Sequence, residues 1–251
     1  MARDHEPRDI VHVLREDPDL AQDLDPGQLR RAYSRSAARL LTPAAGSWVP
    51  VLDATDEATL LGLLVLGGVI LRRVILAARR SAEVIGTGDL IRPFEDSSES
   101  ITAVPCEVRW HVLSDARLAV LDERFQQSMA ACCPEVLCRL AGRQSRRCQE
   151  QALSLAIAQL PRLDARIHFA LWRLASRFGQ VGPEGVLVPL KLSHEVLGEL
   201  VAARRPSVTA ALHELDARGL VSRLPDGRWR LAGRAPETLA ELGRTAVTLR
   251  P

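Results

Sequence analysis

The spacing of apolar residues changes character repeatedly along the chain, and each change predicts a new element. Residues 1–45 read as a helical extension: Asp25-Pro26-Gly27 marks a turn or helix start, and Leu29–Leu41 follows as an arginine-rich amphipathic helix. Thr42 to Gly46 break that pattern. From Trp48 to Val120 the apolar runs shorten and are separated by Gly, Pro, Asp and Ser. Candidate strands are Val49–Leu52, Leu60–Leu66, Val69–Leu76, Glu83–Ile85, Leu90–Ile91, Ile101–Val104, Glu107–Leu113 and Leu118–Leu121. Many short strands at close spacing predict an antiparallel barrel or jelly roll over 46–121. Residues 122–160 turn helical. Pro134 opens a long helix, Glu135–Leu160, with apolar Val136, Leu137, Leu140, Leu153, Ile157 and Leu160. Its middle, Arg143 to Gln151, is polar, so the heptad seam is imperfect. A further helix, Leu163–Phe178, buries Ile167, Leu171, Leu174 and Ala175, and Gly179–Gly185 is a loop or short hairpin.

Residues 192–232 carry the sharpest pattern. Val196, Leu197, Leu200 and Val201 make one helical face, with Ser193 placed to cap it. Val208, Ala211, Leu212 and Leu215 make a second, with Pro206 in its first turn and Gly219 at its end. Two short runs, Leu220–Leu224 and Arg228–Leu231, flank Pro225-Asp226-Gly227, a strong hairpin signal. Helix, turn, helix, hairpin is the layout of a winged helix-turn-helix, whose second helix enters the DNA major groove by its N-terminal end. The outward face there carries Arg205, Pro206, Thr209, Ala210 and His213. Arg205 is the best base reader, because its planar fork can donate two hydrogen bonds to guanine. Arg204, Ser207 and Thr209 are candidate phosphate contacts, as are Arg223 and Arg228 on the hairpin. Ser193, His194 and His213 complete the candidate DNA-binding set. The plainer alternative is a winged helix that binds protein or only packs.

Bulk properties narrow the class. The chain has 251 residues, 47% of them hydrophobic, which suggests two domains that each bury a core. A net charge of +2 and a pI of about 8.4 are too mild to establish a nucleic-acid partner. Lys191 is the only lysine, a bias that GC-rich coding also produces. The charged N-terminus is not a secretory signal. The apolar run Ala58–Leu71 is shorter than the roughly 18 residues of a membrane helix. Five cysteines, an odd number without such a signal, point to a reducing cytoplasm. Cys132, Cys133, Cys138 and Cys148 cluster, but in no common iron–sulfur or zinc spacing. They read as small buried thiols, with a redox- or nitric-oxide-sensitive thiol as the alternative. The histidines are scattered, GTGDL lacks the Lys-Ser/Thr of a phosphate loop, and LGGVIL is strand glycine. No acid–base pair stands out. The expectation is no enzyme, no metal and no cofactor.

Leu163 to Leu231 resembles the Crp/Fnr family of transcription regulators: the helix LDARIHFALWRLA, the helix PLKLSHEVLGELV, the recognition helix RRPSVTAALHEL and the wing GLV…DGRW. The family's order of β-roll, long dimer helix and winged helix fits the chain from about residue 46 onward. The resemblance implies an α+β chain: an N-terminal antiparallel, jelly-roll-like β-roll (46–121) of the cyclic-nucleotide-binding type, a helical linker and dimer helix (122–160) and a winged DNA-binding domain (161–235). The sequence pattern itself adds a tail (236–251) with a short helix over Pro236–Gly243. The implied partners are double-stranded DNA, a second copy of the chain and RNA polymerase, with no membrane. Arg205 matches the family's first recognition arginine. Pro206 replaces the following Glu and Ala210 the second Arg, so the operator should differ from the family's best-known site. In the sensor half, Gly88-Asp89 resembles the turn entering the phosphate cassette. Arg92-Pro93 then replaces Gly-Glu, Glu95, Asp96 and Glu99 follow, and no arginine stands near Ile101. Ordinary cyclic-nucleotide binding is not expected. The alternative function is a ligand-sensing or protein-interaction module whose winged helix does not read DNA.

Overall fold

A computed structural model of the chain describes residues 9–50, 60–93, 106–233 and 235. They form two compact units. The first holds the described residues up to 150 except Arg80–Ala82, and the second holds Arg80–Ala82 and those from Gln151 on.

The first unit is built on an antiparallel sheet. Strands β1 (Ile10–His12), β2 (Ala37–Leu41), β7 (Glu107–Leu121), β4 (Gly62–Leu76) and β5 (Arg79–Ile85) lie in that order. β3 (Gly46–Trp48) pairs with β7, and β6 (Leu90–Ile91) with β4. One face of the sheet buries Leu63, Val65, Ile70, Ile85, Trp110, Val112 and Leu118 inside the roll. The other face buries Leu64, Leu66, Ala119 and Leu121 beneath helices. Those helices are α1 (Val13–Glu16), α2 (Pro26–Arg35), α3 (Glu123–Cys132) and the start of α4 (Pro134–Ala158), through Leu14, Ala32, Phe125, Met129, Val136 and Leu140. Burial on both faces explains why 60–66 is an unbroken apolar run instead of an alternating one.

Several expectations for this half need correction. The helix begun at Pro26 stops at Arg35, and Ala37–Leu41 is strand β2, paired to β7 as Arg39↔Val120 and Leu41↔Leu118. Ala-Ala-Arg-Leu-Leu favours helix locally, but the ladder overrides it. Residues 1–45 are therefore not only a helical extension, since β1 and β2 belong to the sheet. Leu60–Leu66 and Val69–Leu76 form one strand, as do Glu107–Leu113 and Leu118–Leu121. The apparent breaks are register shifts between Val65 and Ile70. Gly68 sits there at φ +85°, where a Cβ would meet Asp115 O at 2.4 Å, so a bulge replaces a turn. The strand expected from Val49 ends instead at Trp48. Residues 51 and 52, Ile101–Val104 and the helix Pro236–Gly243 lie outside the described residues.

The second unit follows its sequence pattern closely. It comprises α5 (Leu163–Phe178), β8 (Gln180–Gly182), β9 (Gly185–Val188), α6 (His194–Leu200), α7 (Arg205–Ala217), β10 (Val221–Arg223) and β11 (Trp229–Leu231). The strands order as β10-β11-β9-β8, all antiparallel. Ile167, Leu171, Leu197, Val208, Leu215, Trp229 and Leu231 are buried. Asp164, itself buried, fixes α5 against α7 by accepting from Arg162 (3.0 and 2.7 Å) and from Arg218 (3.1 Å). Desolvation opposes its charge, but the two guanidiniums win and hold its pKa below the usual aspartate value.

Candidate nucleic-acid interface

The site grows from α6, the turn after it, and α7. Ser193 caps α6, its hydroxyl accepting from the Val196 N–H at 3.2 Å. The hydroxyl expected to touch DNA is thus also a structural cap. The turn is tight: Ala203 N donates to Gly198 O (2.9 Å), and Ala202 adopts φ +54°. A Cβ on residue 198 would stand 2.6 Å from Ala203 O, so only glycine lets the two helices approach this way. Arg204 occupies the N-cap of α7 without a side-chain capping bond, and Pro206 lies in the first turn, where its missing N–H costs nothing.

Arg204, Arg205, Pro206, Ser207, Ala210 and His213 are all exposed, while Val208, Ala211, Leu212 and Leu215 are buried. The start of α7 therefore presents its polar edge outward. Among the described residues no carboxylate pairs with Arg204 or Arg205. Thr209 is different. Its hydroxyl donates to Arg205 O at 3.1 Å and lies 2.9 Å from His194 Nδ1. The hydroxyl proton being given to Arg205 O, the imidazole Nδ1–H donates to Thr209 in turn. Two expected DNA contacts are thus brought together and tie the first residue of α6 to α7. The His194 ring also lies 6.0 Å from Trp229. Burial lowers its pKa most, and Arg223, Arg205 and His213 lower it further, so its charged form is disfavoured in the fold.

The wing places its two arginines unequally. Arg223 lies over the Trp229 ring at 5.6 Å and remains exposed. Arg228 turns back on Asp226, donating from Nε at 2.6 Å, while its backbone N–H donates to the same carboxylate at 3.0 Å. Arg228 is partly neutralised before any phosphate arrives. Sequence reasoning passed over Lys191. It is exposed and packs beside the wing turn, its Cβ and Cγ 3.8 Å from where a side chain on Gly227 would begin. Its place two residues before the Ser193 cap was the available signal. Arg230 is near as well but bonds Glu184 at 2.8 Å.

In the roll, Gly88 takes φ +87° and Asp89 closes the turn by accepting from Gly86 N at 2.9 Å. Two arginines one turn apart on α4 grip this region. Arg143 bonds Asp17 and reaches Gly88 O at 3.4 Å. Arg147 makes a two-pronged pair with Glu83 (2.8 and 3.0 Å) and donates to Leu90 O at 3.1 Å. Glu95, Asp96, Glu99 and Ile101 lie outside the described residues. The cysteines are not uniformly buried as expected. Cys133 is buried, and desolvation pushes its thiol up to about 11, but Cys138 and Cys148 are exposed. Among the described residues no three His, Cys, Asp or Glu side chains gather as a metal site, and no helix is long and apolar enough to cross a membrane.

Residues 165–242 match the family model of the Crp-like helix-turn-helix domain. The chain also resembles the solved structure of a CRP-family transcriptional regulator from Thermus thermophilus, at 23% identity over 82% of this chain and 96% of that one, with a TM-score of 0.56. It resembles CLP, the c-di-GMP-responsive global regulator of Xanthomonas campestris, at 21% identity over 84% and 100%, with a TM-score of 0.59. A CooA mutant from Carboxydothermus hydrogenoformans aligns at 16% identity over 92% and 94%, with a TM-score of 0.59. No curated protein matches the sequence. The resemblance read from the sequence therefore holds: the chain carries a Crp-like helix-turn-helix domain within the fold of the CRP/FNR transcription regulators.

Proposed function

We propose that the chain is a homodimeric, sequence-specific DNA-binding transcription regulator of the cytoplasm, a binding protein and not an enzyme. The observation that carries this reading is the exposed start of α7, where Arg204, Arg205 and Ser207 have no carboxylate partner among the described residues. Arg205 reads a guanine edge in the major groove, while Arg204, Ser207, Arg223 and Lys191 hold phosphates. Thr209 and His194 act through each other, keeping α7 in place. Two copies would address successive major grooves about 34 Å apart, and RNA polymerase is the further partner of such a regulator. The roll does not take an ordinary cyclic nucleotide: Arg92-Pro93 replaces the Gly-Glu pair, and Arg143 and Arg147 are already held by Asp17 and Glu83.

The test is fluorescence anisotropy on a palindrome obtained by selection from random duplex DNA. Arg205→Ala should lose specific affinity while the dimer survives by sedimentation; unchanged affinity counts against the reading. A second reading, an interaction module that does not read DNA, draws on Pro206, on Ala210 and on Arg228 being turned back to Asp226. It predicts no enrichment of any sequence, even at low salt.

A further inference from the structure

The outward face of α4 carries a seam that the described residues leave uncovered. Cys138, Ala141, Ser145, Cys148, Ala152 and Leu155 follow alternating steps of three and four, the a and d positions of a heptad. All six are exposed, and Leu155 keeps 67% of its surface in solvent. None is charged. The helix is nonetheless rich in arginine, and Arg139, Arg143, Arg146 and Arg147 all fall at b, c or f, away from the seam. From Cys138 on, the e positions beside it are Gly142, Gln149 and Ala156, and the g positions are Gln144, Gln151 and Ala158, again with no charge among them; the charged e residue of the helix, Glu135, precedes the seam.

That distribution selects the occupant. An acidic partner would seek the arginines, which point elsewhere. A second copy of the same helix would set like charge against like, and so requires a neutral seam with neutral flanks. In a parallel pair each a and d residue meets its own counterpart, layer by layer. Small side chains in most layers let the two backbones come close, and a disulfide needs Cα atoms about 4.4–6.8 Å apart. Two cysteines, not one, sit in this register, and both are free and exposed.

We propose that α4 joins two copies of the chain through intersubunit disulfides, Cys148 to its counterpart first and Cys138 to its own, when a peroxide oxidises the facing thiols. One thiolate attacks the peroxide O–O bond, giving a sulfenic acid and water after proton transfer. The facing thiol then attacks the sulfenic sulfur and expels a second water. Two thiols and one hydrogen peroxide become one disulfide and two waters. The inference rests on the homodimer proposed above and adds to it an oxidant-dependent covalent lock.

The experiment uses the full chain. Reduced protein is sedimented, then treated with hydrogen peroxide and run on a non-reducing gel. A dimer band that dithiothreitol reverses is expected. It should fall about tenfold in C138S/C148S, whose facing layers can no longer form the bond, and persist in C106S. Tryptic mapping gives a direct readout, because the peptide that follows Arg147 contains Cys148 as its only cysteine. Recovery of that peptide joined to itself supports the proposal. A band unaffected in C138S/C148S, or a reduced dimer that never cross-links, overturns the disulfide and leaves the dimer standing. A reduced protein that sediments as a monomer overturns both.

Discussion

The arginines of the roll unit and those at the start of α7 are the same residue in opposite circumstances. Arg143, Arg147 and Arg117 each hold a carboxylate through two nitrogens: Asp17, Glu83 and Glu16 respectively. They close internal contacts, and their charge is spent within the fold. Arg204 and Arg205 are exposed, with no carboxylate at hand among the described residues. Even within the winged unit the distinction repeats, since Arg162 and Arg218 converge on Asp164, and Arg228 on Asp226. A count of basic residues therefore says little about an anionic partner. What matters is which cations the fold has left to an outside ligand.

Substitutions at these two kinds of site should differ in size and in kind. The largest effect should come from Asp164→Ala, which leaves Arg218 and Arg162 without their shared carboxylate across α5 and α7. Loss of a buried partner of this kind costs about 3 kcal/mol, and thermal or urea unfolding of the second unit would show it. Arg147→Ala follows. It removes a two-pronged pair and a carbonyl contact that are mostly sheltered from water, at about 2 kcal/mol of stability in the first unit. Operator affinity of the folded protein should not change, and a loss of affinity at unchanged stability would blur the division between the two kinds of arginine. Arg205→Ala should reverse that profile, with stability kept and about 1–3 kcal/mol of sequence discrimination lost in an anisotropy titration. The smallest effect should come from Lys191→Ala or Arg223→Ala. Each should weaken all sequences alike and lower the salt slope of binding by about one counterion.

A pH dependence follows from two histidines of the winged unit, His168, which is buried, and His194, which is half-buried. Burial lowers the pKa of both His168 and His194 below 6.5. The unfolded chain therefore binds more protons than the folded one between the two values. Their contribution is fully present above pH 6.5 and is lost as pH falls through the folded pKa values. Unfolding midpoints taken from pH 8 downward should drop below about pH 6.5, and His168→Gln should flatten that drop.

The winged unit was legible because its signals are local. The Ser193 cap, the Asp226-Gly227 turn and the 3.6-residue periods each lie within one element. The Thr209–His194 bond spans fifteen positions and leaves no sequence pattern, so both residues looked like free contacts. In the roll the ladder partners lie far apart in sequence. Arg35 to Ala37 holds no glycine or proline, so nothing announced that helix gives way to β2. Gly67-Gly68 did announce a break, but the pairing of β4 with β7 absorbs it as a bulge. The exposed cysteines were missed because the heptad they occupy is made of small residues and not of leucines.

Selection of bound sequences from random duplex DNA by the purified full-length protein puts the central claim to its most direct test. The account predicts a palindrome whose half-sites are centred about 10 base pairs apart, recovered by the wild type and lost with Arg205→Ala. Recovery of no sequence above background at low salt, from protein shown to be folded, would contradict it.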